Sequence, residues 1–444
     1  MRKVWAFFKV VAAAYIWMFS PALFAADTPI EVNTFQLSNG LKVILAPMDN
    51  VEATCVMFYH LTGVRDDPID IKGASYLYQV LVLSGTQNLE PQDRTFFVKR
   101  RGGAVDNSVD YDNSVFCQIV PASEINNALW LESERIGSLK LEDRYIDGAK
   151  EYNYRIFSRL INSNTHFRAS TWVRSKVFEG TVYETPIYGN LDKLTGFSNR
   201  KIKKLYDNFT NLFDIVVVIS GKLNIGEVKE AINKYFAGIT STGKPRKRNY
   251  TFYAPRTEYI YKNWVGMPID QHFVIYGIRG PSKRSPDTTE FDFLRYYLVD
   301  RRISRLERML NERNSLDVSI SYEYTDFIEA NALLIKISAA SRYTLEKAKY
   351  ILSKEFLSLM GKPISNSDVK MVKTLMEIDF KKDMRDLKKR SYLLARHFHL
   401  NGNLALVKQY LPEIRKINAY DIINLAKKYL KKENLVVLNV YRKE

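Results

Sequence analysis

Apolar positions follow two different periods along the chain. Runs such as "ATCVMFYH" (53–60) and "SVFCQIV" (114–120) have the β-branched and aromatic content of buried strands. "GASYLYQVLVLSGT" (73–86) predicts one short apolar helix that runs into a Gly-Thr stop, with Leu77, Val80, Leu81 and Val82 offering packing surface. "NIGEVKEAINKYFAGI" (224–239) predicts an amphipathic helix capped by Asn224, with Ile225, Val228, Ile232 and Tyr235 on one face. That helix ends at Gly238, and "TSTGKPRKRN" (240–249) then has the Gly, Pro and Lys content of a linker.

The pattern also repeats. "SVDYDNSVF" (108–116) is echoed by "SISYEYTDF" (319–327) at an offset of 211. "KIKKLYDNFTNLFDIVVV" (201–218) is echoed by "YDIINLAKKYLKKENLVVL" (420–438) at an offset of 220, with Ile202/Leu205 and Ile422/Leu425 as the helical apolar pairs. Self-similarity at so long a period means two copies of one domain, because only two fit. The expected domains are 27–239 and 251–444, joined by a linker at 240–250. In each half, early strands lead to helices, then to two alternating strands, further helices and a final strand. This order predicts an α+β fold: two homologous domains, each a sheet with helices packed mainly on one face.

Composition changes this picture in three places. A basic front (Arg2, Lys3, Lys9), the apolar stretch "VVAAAYIWMF" (10–19) and the small residues of "SPALFAAD" (20–27) predict an export signal over 1–26, cleaved after Ala25 or Ala26. The alternative is an uncleaved anchor; the small, Pro-containing end favours cleavage, and no later segment reads as a membrane span. Removing 1–26 removes those three cations and no acid, so the formal charge falls from +17 to +14. Such a balance suits an acidic partner, acidic peptides or anionic lipid, or else lysines spread over solvated faces. The densest basic runs, "KPRKR" (244–248) in a loop and "KKDMRDLKKR" (381–390) on a helix, carry no nucleic-acid motif, and export argues against such a ligand. Only Cys55 and Cys117 exist, both in expected strands; two buried thiols are favoured over one disulfide.

The motifs resemble those of the insulinase/pitrilysin family of zinc metallopeptidases, which includes the mitochondrial processing peptidase. "FQLSNGLKVIL" (35–45) is similar to the family's opening strand. "GVRDDP" followed by 73–86 is similar to its glycine-led catalytic helix, and "GGAVDNSVDYDNSVFCQIV" (102–120) to its glycine-glycine strand pair. "LWLESERI" (129–136), "DIVVVISGKLN" (214–224) and "ISRLERML" (303–310) match later elements, so the resemblance covers about residues 33 to 441. It implies the half-clamp fold, a zinc ion and peptide hydrolysis. The family carries H-x-x-E-H on that helix, two metal ligands and a base. Aligned on Gly73 and Gly85-Thr86, the ligands fall on Tyr76 and Val80 and the base on Gln79. Val80 has no lone pair, Gln79 is no base at neutral pH, and Tyr76 would need to lose a phenolic proton.

The resemblance places a third ligand, a Glu, in the zone "YNYRIFSRLINSNTHF" (152–167), which holds no acid; Glu151 better matches an outer glutamate. His60, His166 and His272 are isolated, and His397 with His399, two apart near a helix end, read as surface residues. The substrate-gripping Arg and Tyr of the family's second half fall on Asn311 and Val318. No catalytic residue, no metal ligand set and no cofactor are therefore expected, although the family implies zinc. The resemblance also implies that extended peptides add to an edge strand, here Val105, Asp106, Asn107 and Ser108. An edge merely protected by Asp106 and Asp110 is the alternative. Bacterial relatives often divide labour between a zinc-bearing chain and a chain carrying the Arg and Tyr. The leading expectation is a non-catalytic periplasmic or otherwise exported subunit that pairs with a zinc-bearing sister chain and binds or regulates peptides. A structural or assembly protein without peptide role comes second, and a zinc endopeptidase with displaced ligands third.

Overall fold

The alternating apolar runs build two sheets whose strand orders repeat. In the computed structural model, residues 31–246 and 248–443 are described. The expected signal, 1–26, lies outside them. The first sheet contains β1 (Asn33–Gln36), β2 (Lys42–Pro47), β3 (Ala53–His60), β4 (Ala104–Val109), β5 (Ser114–Pro121) and β6 (Ile215–Gly221), in the order β1-β2-β6-β3-β5-β4. The second contains β7 (Ile260–Met267), β8 (His272–Arg279), β9 (Val318–Thr325), β10 (Ala332–Ala339) and β11 (Leu435–Arg442), in the order β7-β11-β8-β10-β9. Removing β1 makes the two orders superimposable. In both, the last strand inserts parallel to the first (β6 on β2, β11 on β7), and the remaining pairs are antiparallel. The α+β architecture of two like halves is the one the repeat predicted.

One of the two sequence echoes is in register. β6 and β11 correspond at the expected offset of 220, with Val216 beside Lys42 and Val436 beside Ile260. The other echo slips. Val109 and Ser114 close one hairpin, and Thr325 and Ala332 close the other, so Val109 corresponds to Thr325 at an offset of 216, not 211. The match had laid the turn at 110–113 over the middle of β9. Strand sequences of small and aromatic residues repeat every second position and hold a register weakly.

Outer helices cover one face of each sheet, and each half lends one further helix to the other. Helix Thr165–Val177 leaves the first half and packs on β8, β10 and β11. Helix Leu387–Asn401 leaves the second half and packs on β3, β5 and β6. Period-2 alternation directs Phe273, Ile275, Leu334, Val436 and Leu438 toward the first-half core, while Val274, Tyr276, Ile335 and Val437 face the second-half helices. One of the two core clusters therefore runs through both halves, and residues from Asn33 onward form a single compact unit. Arg279 on β8 donates from Nε to the Val177 carbonyl (2.7 Å) and from Nη2 to that of Glu179 (2.8 Å), while Arg256 Nη1 donates to Lys176 (2.7 Å). These bonds satisfy the orphan carbonyls at the end of the lent helix.

Helix Ile225–Phe236 is capped as expected, Asn224 accepting from the amides of Gly226 and Glu227. The basic runs behave differently from expectation. Arg246 and Arg248 are half-buried and paired with Asp214 and Asp66, not solvated, because the loop folds back into the seam between the sheets. The 381–390 run is not one helix: helix Asn366–Arg385 ends at Asp386, whose side chain caps the next helix by accepting from Lys389 N at 2.8 Å.

Helix exchange needs close approach at one point. A Cβ on Gly277 would lie 2.5 Å from Val177 Cγ2 and 2.6 Å from Val173 Cγ1. Gly277→Val should destabilise the whole chain by about 1–3 kcal/mol through overpacking. Chemical denaturation checks this, and both halves should lose stability in the same single transition.

Candidate functional site

The helix that carries the substituted motif is fastened at both ends by its glycines. Gly73 adopts φ +99°, and a Cβ there would collide with the Gly189 amide at 2.5 Å, so only glycine lets the two backbones cross. Buried Asp67 accepts from Gly73 N (2.8 Å) and Ser75 N (3.1 Å), which holds the first turn. The expected single helix is in fact a tight 3-10 turn, Ala74–Leu77, passing into a short α-turn, Tyr78–Leu81; Gly85, at φ +91°, lies in the reversal that follows. Leu77, Leu81 and Val82 enter the core as anticipated. Sequence reasoning missed the principal anchor, Tyr78. It is fully buried, donates its hydroxyl to the Ile202 carbonyl at 2.8 Å and stacks on Phe209 with centroids 4.1 Å apart.

The three substituted positions do come together beside the edge strand. Gln79 Nε2 donates to the Val109 carbonyl at the end of β4 (3.3 Å), and Val80 packs against the core. Helix Asp143–Ser163 supplies Phe157, which lies in the zone 152–167 where the resemblance implied a carboxylate. Phe157 meets Tyr76 edge-to-face at 5.6 Å and stacks on Tyr188 at 4.2 Å, with Phe167 completing the cluster. Burial pushes the Tyr76 phenol above its ordinary value, so it remains a neutral hydroxyl. A phenol, an amide already bonded to backbone, a valine and a phenylalanine do not fit zinc, which needs about three nitrogen, sulfur or carboxylate ligands. Aromatic packing fills that space.

β4 pairs with β5 alone among the described residues. Val105 and Val109 pack toward the core, so Asn107, two residues from each, shares their face; its side-chain oxygen is buried without a partner. On the opposite face, Asp106 forms an ion pair with Lys388, and Ser108 lines a groove of about 840 Å³ floored by Val115, Ile119 and Tyr392. The substrate-grip positions bond to each other, Asn311 Nδ2 donating to the Val318 carbonyl (2.9 Å) and Asn311 Oδ1 accepting from Val318 N (3.1 Å), and Asn311 Nδ2 also donates to the Glu307 carboxylate. Cys55 and Cys117, on neighbouring strands, have their sulfurs 3.1 Å apart and are buried free thiols.

The histidines were misjudged in one respect. His399 is not a surface residue; its Nε2 lies 2.6 Å from the Tyr250 hydroxyl, and burial with the nearby cations pushes it down to about 3. His397 is likewise half-buried, and desolvation with the nearby cations pushes it down to about 4. The helix carries them inward because it packs on the first sheet, which its own sequence does not reveal.

Comparison with known proteins agrees with this fold. Residues 196–376 match the family model described as "Peptidase M16 inactive domain". The chain is 21% identical over 418 residues to a zinc protease, PqqE, of Helicobacter pylori, covering 89% of each chain. Among solved structures, a protease from Helicobacter pylori superimposes with a TM-score of 0.84 at 17% identity, covering 93% of this chain and 99% of that one. The periplasmic protease PqqL from Escherichia coli does so with a TM-score of 0.74 at 14% identity; 94% of this chain covers 48% of that one.

Restoring the motif alone should fail. In Tyr76→His/Gln79→Glu/Val80→His, the zone 152–167 still holds no acid and Asn311 and Val318 still stand at the grip positions, and groups that act as a unit are not additive. A fluorogenic peptide assay with added zinc should show no chelator-sensitive cleavage; clear cleavage that a chelator abolishes would mean that the missing groups come from elsewhere.

Proposed function

We propose that the chain is a non-catalytic member of the insulinase/pitrilysin family, an exported subunit that pairs with a zinc-bearing sister chain and holds or presents extended peptides. The observation that carries this reading is the contrast between the two sides of one strand. Where hydrolysis would occur, Tyr76, Gln79 and Phe157 have turned the site into packing. The strand itself keeps an open edge, with an unpartnered acceptor on Asn107 beside it. Strand addition uses backbone N–H and C=O groups only, so it outlasts the loss of a metal.

Charge and size support a partner. Without its first 26 residues the chain carries +14, a reduction of three from +17, which opposes self-association and draws in a less basic chain. This chain also matches about half the length of PqqL, as one half-clamp of a closed pair would. The lysine- and arginine-rich junction at 381–390 is one candidate contact. A periplasmic location is supported by the signal-like sequence of residues 1–26 and by the likeness to the periplasmic protease PqqL; among the described residues no helix is long and apolar enough to cross a membrane.

The Asp106–Lys388 bridge favours the second reading, a structural or assembly protein whose edge is guarded. Both partners are about half exposed, and such pairs contribute about 0–1 kcal/mol, too little to keep a peptide out. Two measurements separate the readings. Untagged partner should co-purify from the native host, retain H-x-x-E-H and be released as salt rises. Extended peptides should bind the purified chain, and Lys388→Ala should bind them at least as well. A lone monomer at every salt concentration removes the partner; absence of peptide binding in both proteins leaves the structural role.

A further inference from the structure

The seam where the linker crosses the first sheet contains a second site, separate from the edge strand. A cavity of about 360 Å³ opens there, walled by the start of β2, the loop before β6, the linker and the end of helix Leu387–Asn401. Four cations line it: Lys42, Arg246, Arg248 and Arg284. One carboxylate, Asp214, faces them, and a second, Asp66, stands behind Arg248. Two positive charges are left without a counter-charge.

The cations differ in how far they are already engaged. Arg246 is used up: Nε holds Asp214, Nη1 holds Asn208 (3.2 Å) and Nη2 holds Thr62 (3.0 Å). Arg248 spends only Nη1, on Asp66 at 2.9 and 3.0 Å. Its Nε and Nη2, the adjacent pair that grips two oxygens of one anion, are buried and have no partner. Unpaired buried donors cost about 1–3 kcal/mol each and call for a ligand. Lys42 gives Nζ to the Phe213 carbonyl (3.0 Å), and burial holds it below its ordinary value. Arg284 gives one nitrogen to the Leu400 carbonyl and lies 5.2 Å from the Tyr250 ring, whose other neighbour is Arg65 at 5.0 Å. His399 closes the wall as a neutral ring, its proton driven off by burial and by Arg248, Lys42 and Arg284.

We propose that this cavity binds a phosphate-class dianion, gripped side-on by Arg248 and neutralised by Lys42 and Arg284. A dianion matches the two unmatched charges, whereas a carboxylate supplies one. The space exceeds that of a bare phosphate, so a small organic phosphate monoester is accommodated too. Because the walls come from both halves and the linker, the anion pins the linker to the first sheet. None of this depends on peptide binding or on a partner chain.

Calorimetry on the mature chain tests it, with inorganic phosphate as probe and with acetate and sodium chloride at matched ionic strength as controls. Phosphate should bind saturably at one site, and acetate should not. Lys42→Gln and Arg284→Gln should each weaken binding by about tenfold, the worth of one charge-assisted bond. Arg248→Gln should abolish binding; if losing the Asp66 pair prevents it from folding, the other two variants decide. Tighter binding of glycerol 3-phosphate would assign an organic monoester, and equal or weaker binding free phosphate; both support the site. A phosphate response no different from acetate or chloride, or variants that bind as well as the natural chain, would overturn it.

Discussion

Each sheet in this protein has two apolar faces and only one set of helices of its own to cover them. The second face of each is covered by a helix lent from the other half, Thr165–Val177 in one direction and Leu387–Asn401 in the other. Leaving Phe273, Ile275, Val436 and Leu438 in water would cost about 1.5–3 kcal/mol for each side chain. Neither half can therefore shed its partner. The fold is one unit because of that exchange, and features elsewhere follow from it: Gly277 where the lent helix comes closest, Arg279 and Arg256 at its end, and histidines drawn inside on the reciprocal helix.

A scaffold held together by exchange does not need its catalytic chemistry. Burying a metal site with charged ligands is costly, and replacing such groups by well-packed apolar ones is often neutral or stabilising. The Tyr76–Phe157–Tyr188 cluster has that character. The edge strand is separately maintained by its pairing with β5, so its open edge does not depend on what fills the substituted positions.

Local signals were legible and long-range ones were not. Asn224 announced its helix because a cap is a contact within three residues. The expectation of no zinc ligands could be drawn from Tyr76, Gln79 and Val80 alone, since ligand chemistry is a property of residue type. The repeat was readable too, though only its helix–strand echo kept register; the 108/319 echo slipped because a strand's two-residue period resembles itself. What filled the empty site was hidden: Phe157 lies 81 positions from Tyr76 in the chain, and its apolar face named no recipient. His399 looked superficial for the same reason. Arg246 and Arg248 looked solvated because their carboxylates, Asp214 and Asp66, are distant in sequence and met only in the fold.

Metal content measures the central point most directly. The untagged mature chain, exposed to excess zinc and then dialysed against zinc-free buffer, should retain well under one zinc per molecule, because the positions that would coordinate it now present a phenol, an amide, a valine and a phenylalanine. One tightly held equivalent of zinc per chain, lost on mutation of Tyr76 or Gln79, would contradict that claim.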